Sequence, residues 1–193
     1  MSIRHILTTA SLALAASLVA GPVVHAQRGA PPPPPSVKTG EMAPDFTARY
    51  LTSEGGKFAF PEVKLSQFRG QKNVVLAFFP AAFSPGCTSE MQRYQESSGE
   101  FNSANTVVLG MSVDSTWANK AFADSLGVTF NILSDASRDI SKSYGVFDEQ
   151  GLVSRRTTFI IDQKGVVQKV FMAQEALDPS AALEACQILT EVK

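Results

Sequence analysis

Residues 73–90 do most to limit what this chain can fold into. Asn73-Val74-Val75-Leu76-Ala77-Phe78-Phe79 is a short, unbroken apolar run that stops at Pro80. That is the pattern of a strand buried on both faces. A turn, Ala81-Ala82-Phe83, follows, and the next residues open a helix. Ser84 suits the N-cap, and Pro85 suits the first helical position, where no N–H donor is needed. Cys87 then falls in the first turn, near unpaired amides and the positive end of the helix dipole. Both favour thiolate over thiol, and the thiolate is the reactive form. The segment therefore reads as a nucleophilic cysteine poised for redox chemistry.

The remainder alternates in the same way. Phe46 to Leu51 and Lys57 to Phe60 read as short strands around a turn at Ser53-Glu54-Gly55-Gly56, and Val63 to Phe68 leads through Gly70 into the buried strand. A helix with Met91, Tyr94 and Phe101 near helical spacing is expected after Cys87. Thr106 to Val113 is the next strand, and Asp114-Ser115 caps a helix containing Trp117, Phe122 and Leu126. Trp117, the only tryptophan, is assigned to helix packing. Phe130 to Leu133 and Thr158 to Ile161 are further strands, with a short helix, Arg138 to Tyr144, between them. Gln163-Lys164-Gly165 turns into Val166 to Phe171, and Asp178-Pro179 opens a terminal helix. Strand–helix alternation with two hairpins predicts an α/β fold, a three-layer sandwich with a mixed central sheet flanked by helices.

The N-terminus reads as an address. A basic start, Met1 to His5, precedes the apolar run Ile6 to Ala20, and Val24-His25-Ala26 resembles a cleavage site, so 1–26 is expected to be a signal peptide. Export to the periplasm or beyond is the expectation; an uncleaved N-terminal anchor is the lesser alternative, since the run is short for a membrane span. Residues 27–37, with five consecutive prolines at 31–35, read as a stiff linker, and 38–193 as one domain. The net charge of −1 without charge blocks argues against nucleic acid as a partner. Both histidines, His5 and His25, lie in the leader. The mature chain would thus lack imidazole for Cys-His hydrolysis or metal binding, and two lone cysteines make a poor zinc site. Neither a metal nor a cofactor is expected, and Cys87 must be activated by the helix dipole, hydrogen bonds or an arginine.

Pro80-x-x-x-Ser84-x-x-Cys87 resembles the active-site motif of the peroxiredoxins, Pro-x-x-x-(Thr/Ser)-x-x-Cys, and Pro85-Gly86-Cys87-Thr88-x-Glu90 resembles the local wording of their bacterioferritin-comigratory (PrxQ-like) and AhpE-like branches. Further strings support the resemblance over about Lys38 to Lys193: Met42-Ala43-Pro44-Asp45-Phe46, Ser112-Val113-Asp114-Ser115, Leu133-Ser134-Asp135, Gly145-Val146 and Arg156-Thr157-Thr158-Phe159-Ile160-Ile161-Asp162. It implies a thioredoxin-like fold of the peroxiredoxin type and a thiol-dependent peroxidase acting through a cysteine sulfenic acid. It also implies a peroxide substrate, a thioredoxin-like or small-thiol reductant, and a homodimer as the candidate assembly.

Four residues carry the implied chemistry. Cys87 attacks the peroxide. Ser84 places a hydroxyl near the sulfur, where the family more often has threonine, and Pro80 shields the thiolate or simply ends the strand. Arg156 stands where thioredoxin-type reductases have a cis-proline; its planar, permanent charge would hold thiolate and peroxide, with Arg155 left to a surface ion pair. Glu90, one turn after Cys87, either organises Arg156 or complements the dipole. Cys186 is the candidate resolving thiol, but its core-like spacing with Ala182, Leu183 and Leu189 favours a packed hydrophobe. The position where PrxQ-like enzymes carry a resolving cysteine is Gln92. A single-cysteine mechanism follows. Two alternatives stay open: a peroxide-sensing redox binding protein, and a degenerate thioredoxin-type disulfide oxidoreductase.

Overall fold

The computed structural model describes residues 33–191, so the expected leader with its cleavage after Ala26, and the start of the Pro-rich stretch, lie outside the described residues. The first elements are β1 (Thr47–Arg49), β2 (Thr52–Glu54), β3 (Lys57–Ala59), β4 (Glu62–Lys64), a 3₁₀ turn (Leu65–Phe68), β5 (Asn73–Phe78), α1 (Pro85–Glu96) and α2 (Ser98–Ser103). Then come β6 (Thr106–Ser112), α3 (Thr116–Leu126), β7 (Asn131–Ser134), α4 (Asp139–Ser143), β8 (Phe147–Asp148) and β9 (Val153–Ser154). The chain closes with β10 (Thr157–Ile161), β11 (Val167–Met172), a second 3₁₀ turn (Ala173–Leu177) and α5 (Ser180–Glu191).

Seven strands form one mixed sheet in the order β11-β10-β5-β6-β7-β1-β4. β5, β6 and β7 run parallel, while β10 pairs antiparallel with β5, and the outer pairings are antiparallel. β5 sits near the middle, all six of its residues buried. This is why its sequence is continuously apolar rather than alternating: each face has its own core. Val74, Leu76 and Phe78 join Leu109, Met111, Leu133, Phe159 and Tyr144 on one side. Val75, Ala77 and Phe79 join Met91, Tyr94, Phe122 and the α5 residues Ala182, Ala185 and Cys186 on the other. The predicted mixed sheet between helical layers is the observed architecture.

Parallel pairing of β5 with β6 requires a crossover, and α1–α2 supply it. Because Phe78 lies opposite Met111 and the Phe79 amide bonds the Met111 carbonyl at 2.9 Å, the loops after β5 and after β6 leave the sheet side by side. Antiparallel pairing places Thr157 opposite Phe78, so Arg156, one residue before β10, arrives at that same edge. Sheet register thus assembles in one place three segments that are far apart in sequence.

One expectation needs correction, and two elements had none. The segment 46–51 is not one arm of a hairpin: β1 joins the main sheet, while β2 and β3 form a separate two-stranded hairpin over Gly55 and Gly56, both at positive φ. Helix α2 and the β8–β9 hairpin escaped the sequence reading. Residues 98–103 are mostly polar with Phe101 as their one buried side chain, so no helical period is visible. Trp117 packs from α3 as expected, but outside the core: it is 53% exposed and meets Phe58 and Phe60 edge-on at centroid distances of 5.0 and 5.9 Å, pinning the β2–β3 hairpin to α3.

Next to the Pro-rich stretch, Ser36 straps the chain to the far face. Its amide bonds the Tyr144 carbonyl at 3.1 Å, its hydroxyl bonds Ser143 carbonyl at 3.1 Å, and Val37 beside it is buried. Gly145 permits this approach: it has φ +68°, and a Cβ there would lie 2.3 Å from the Ser36 nitrogen. Gly145→Ala is therefore expected to cost about 1–3 kcal/mol of stability. Denaturant unfolding checks this, and an unchanged midpoint would show the strap to be energetically irrelevant.

Candidate active site

Helix α1 starts as its first residues dictate. Ser84 occupies the N-cap with extended backbone, Pro85 is the first helical residue, and Thr88 N–H to Ser84 carbonyl, 2.9 Å, is the first helical bond. Cys87 therefore precedes the fully bonded part of the helix, where amides and dipole present positive charge. Its side chain is completely buried, against Met91 and Phe79 of the core. Ser84 differs in one respect from the capping role expected of it. Its hydroxyl makes no cap bond and instead donates to the Ala81 carbonyl at 3.1 Å. Its lone pairs remain open as acceptors, but no hydrogen bond links it to Cys87.

Arg156 reaches the sulfur. Its Nη2 donates to Cys87 Sγ at 3.3 Å, and its Nη1 is bound to Glu90 Oε2. One guanidinium face thus spans a thiol and a carboxylate, the fixed fork geometry that lysine could not supply. Glu90 is fully buried and its Oε1 has no partner, while the Arg156 side chain is 14% exposed. Taking this pair out of water is costly unless the attraction is well aimed, so the carboxylate's service is to hold the guanidinium against the sulfur. Glu90 is bound to Arg156 and lies beyond the first turn of α1. Pro80, half-buried, follows the last strand residues and opens the loop that carries Ser84.

Arg155 does not take the surface ion-pair role expected of it. It makes no salt bridge among the described residues; its Nη2 binds the Gly145 carbonyl and its Nε is buried without a partner. The strand alternation decides between the neighbours: Arg156 and Thr158 point to the α1 side, where Thr158 Oγ1 meets Tyr94 Oη at 3.3 Å.

Two residues at the site were not singled out from sequence. A Cβ on Gly86 would stand 3.2 Å from Arg156 Nη2, so a glycine before the cysteine lets the guanidinium close on the helix start. Asp114 Oδ2 accepts the Ala82 amide at 2.8 Å, tying the loop to the end of β6. A Pro-Gly-Cys string hints at the first; nothing local signals the second, because the partners are 32 residues apart.

Cys186 lies in α5, fully buried, and both cysteines are free thiols. Burial, offset in part by a hydrogen bond with Thr106, pushes its thiol up to about 11 from an ordinary 9.0. A sulfur so placed keeps its proton and packs as a small hydrophobe.

The AhpC/TSA family pattern matches residues 39–170. The chain is 34% identical over 158 residues to alkyl hydroperoxide reductase E of Mycobacterium tuberculosis, covering 80% of this chain and 99% of that one. It is 37% identical over 139 residues to the chloroplastic peroxiredoxin Q of Triticum aestivum, covering 72% of this chain and 60% of that longer one. Peroxidoxin BcpB from Mycobacterium tuberculosis superposes with a TM-score of 0.68 at 29% identity, over 81% of this chain and 99% of that one.

Arg156→Ala would leave Glu90 as a buried, uncompensated charge, with an expected loss of about 3–5 kcal/mol. Adding Glu90→Gln should return part of it; a double variant as unstable as the single would contradict the ion-pair account. The buried Cys186 thiol also makes stability depend on alkaline pH. The unfolded thiol ionises near 9.0 while the folded one holds its proton to about 11, so its contribution is complete below 9.0 and lost as pH rises through that window. Unfolding curves of the wild type and Cys186→Ala across this alkaline range should show a steeper fall for the wild type.

Proposed function

The chain belongs to the AhpC/TSA family, is a thiol-dependent peroxidase, and on that premise we propose that Cys87 is its attacking sulfur in a single-cysteine cycle. The observation that carries this is the Arg156 guanidinium held 3.3 Å from Cys87 Sγ by a buried carboxylate. The thiolate attacks one oxygen of ROOH, the S–O bond forms as the O–O bond breaks, and the leaving RO⁻ takes a proton to become ROH. Cys87 is left as the sulfenic acid, oxidised by two electrons. Arg156, with donors fixed along the sulfur, stabilises the thiolate and then the charge developing on the leaving oxygen. Ser84 keeps a hydroxyl at the mouth of the site, and Pro80 shuts water from the sulfur.

A reductant completes the cycle. A first thiol attacks the sulfenic sulfur and expels water, giving a mixed disulfide; a second thiol releases Cys87 and departs as the oxidised disulfide. Cys186 is a poor source of that first thiol, since it is buried and holds its proton. The reductant is then external, a small thiol or a thioredoxin-like protein. A thioredoxin-type reductase lacks support, because Ser84 occupies the place of that chemistry's attacking cysteine. A sensor would share the sulfenic acid but not a fast cycle.

We further propose that the chain is exported after cleavage behind Ala26 and acts as a homodimer or with a transient reductant partner. The basic, apolar and small-residue order of 1–26 supports export. Among the described residues no helix is long and apolar enough to cross a membrane.

Rapid mixing with hydrogen peroxide or an organic hydroperoxide should show fast oxidation that vanishes in Cys87→Ser; a slow, bulk-thiol-like reaction would sink the assignment. After one equivalent of peroxide, a non-reducing mass measurement should give a chain one oxygen heavier. A product two hydrogens lighter than the dithiol would mean that Cys186 resolves. N-terminal sequencing of the protein recovered outside the cytoplasm should begin at Gln27.

A further inference from the structure

The loop 80–84 that carries the Ser84 hydroxyl is weakly tethered by its own bonds. Pro80 has no amide hydrogen, and the Ser84 amide and hydroxyl both turn back on the Ala81 carbonyl within the loop. Phe83 sits at φ +63°, a left-handed conformation unfavourable for a bulky residue, with its ring 58% exposed and edge-on to Phe122 at 5.3 Å. A strained, exposed turn of this kind holds its shape only if something outside it does the holding.

That hold is the bond from the Ala82 amide to Asp114 Oδ2, 2.8 Å. The carboxylate is itself fixed. Ser112 Oγ donates to the same oxygen at 2.9 Å, and the Asp114 amide donates back to Ser112 Oγ at 3.2 Å. Ser134 Oγ donates to the Asp114 carbonyl at 2.6 Å, joining the ends of β6 and β7. Ser112 Oγ also lies 3.0 Å from Asn119 Oδ1; its single proton goes to the stronger acceptor, the carboxylate. Asn119 in turn donates from Nδ2 to the Leu133 carbonyl at 3.0 Å. Asp114 is thus anchored to the sheet and presents one charged acceptor to the catalytic loop.

We propose that Asp114 is a positioning residue for peroxide reduction, latching Ala82 so that Ser84 and Pro80 stay closed over Cys87. The latch also sets how readily the loop opens. Cys87 is fully buried, so a reductant can reach its sulfenic acid only when the residues around it move. Closing favours the oxidation step, and opening favours the reduction step. The proposal rests on Cys87 being the attacking sulfur.

Two rates on the full chain test it: oxidation of Cys87 by hydrogen peroxide, and reduction of the resulting sulfenic acid by dithiothreitol, both followed by quenching and mass measurement. Asp114→Ala is expected to slow oxidation about tenfold, the scale of one charge-assisted bond, while speeding reduction. Asp114→Asn keeps an oxygen for the Ala82 amide and should recover most of the oxidation rate. Oxidation at the wild-type rate in Asp114→Ala would overturn the proposal, as would equal slowing of both steps, the mark of general damage. Should Asp114→Ala not fold, Asp114→Glu preserves the charge but misplaces it, and is expected to slow oxidation; a wild-type rate there overturns the latch equally. Oxidation that persists in Cys87→Ser would instead remove the parent assignment, whatever Asp114 does.

Discussion

The structure depends on the pairing of β5 on both of its edges. Its backbone bonds are taken by β6 on one side and β10 on the other, and both faces are covered by apolar side chains. A strand so enclosed has no freedom of register, because a slip of one residue would exchange the Val74-Leu76-Phe78 set with the Val75-Ala77-Phe79 set. Everything at the active edge follows from this. The strand ends at a fixed place, α1 begins five residues beyond Pro80, and Arg156 is carried in by the neighbouring strand.

The proposed chemistry turns on placing a guanidinium where sulfur alone would be a slow nucleophile. The chain does this with a buried carboxylate, which is an expensive partner to desolvate. Glu90 retains one unpaired oxygen, and Gly86 gives up a side chain to let Arg156 approach. Both features lie beside Cys87, while other buried unpaired atoms, Asn73 Nδ2, Arg155 Nε and Thr157 Oγ1, lie in or next to β5 and β10. The burial of the sulfur has a second consequence: Cys87 is fully enclosed, so a bulky partner can reach it only when the residues around it move.

The βα unit at 73–90 was legible because its signals are local. An apolar run, a proline, a capping position and a second proline each speak within a few residues, and β5 and α1 lie within a residue or two of where they were expected. Arg156 was legible through the Thr157-Thr158-Phe159 string rather than through any local rule. The hairpin at 52–59 was read one strand short, because periodicity over three residues cannot say which sheet a strand joins. Trp117 packs as expected, but its partners were not legible. Helical spacing assigns a face, but the β2–β3 hairpin that receives the ring is a tertiary neighbour. The Ser84 hydroxyl, read as a cap, found a nearer acceptor in Ala81.

By itself the sequence determined the kind of fold, a cysteine at a helix start and the absence of histidine after His25, since each is set by short-range propensity or by composition. Only the tertiary structure decided that Glu90 binds Arg156, that Arg155 turns to a backbone carbonyl, that Cys186 is a packed and protonated thiol, and that Asp114 accepts the Ala82 amide. Those outcomes depend on which side of a strand each residue faces and on partners tens of residues away. Distance, direction and burial become definite only when the sheet closes around β5.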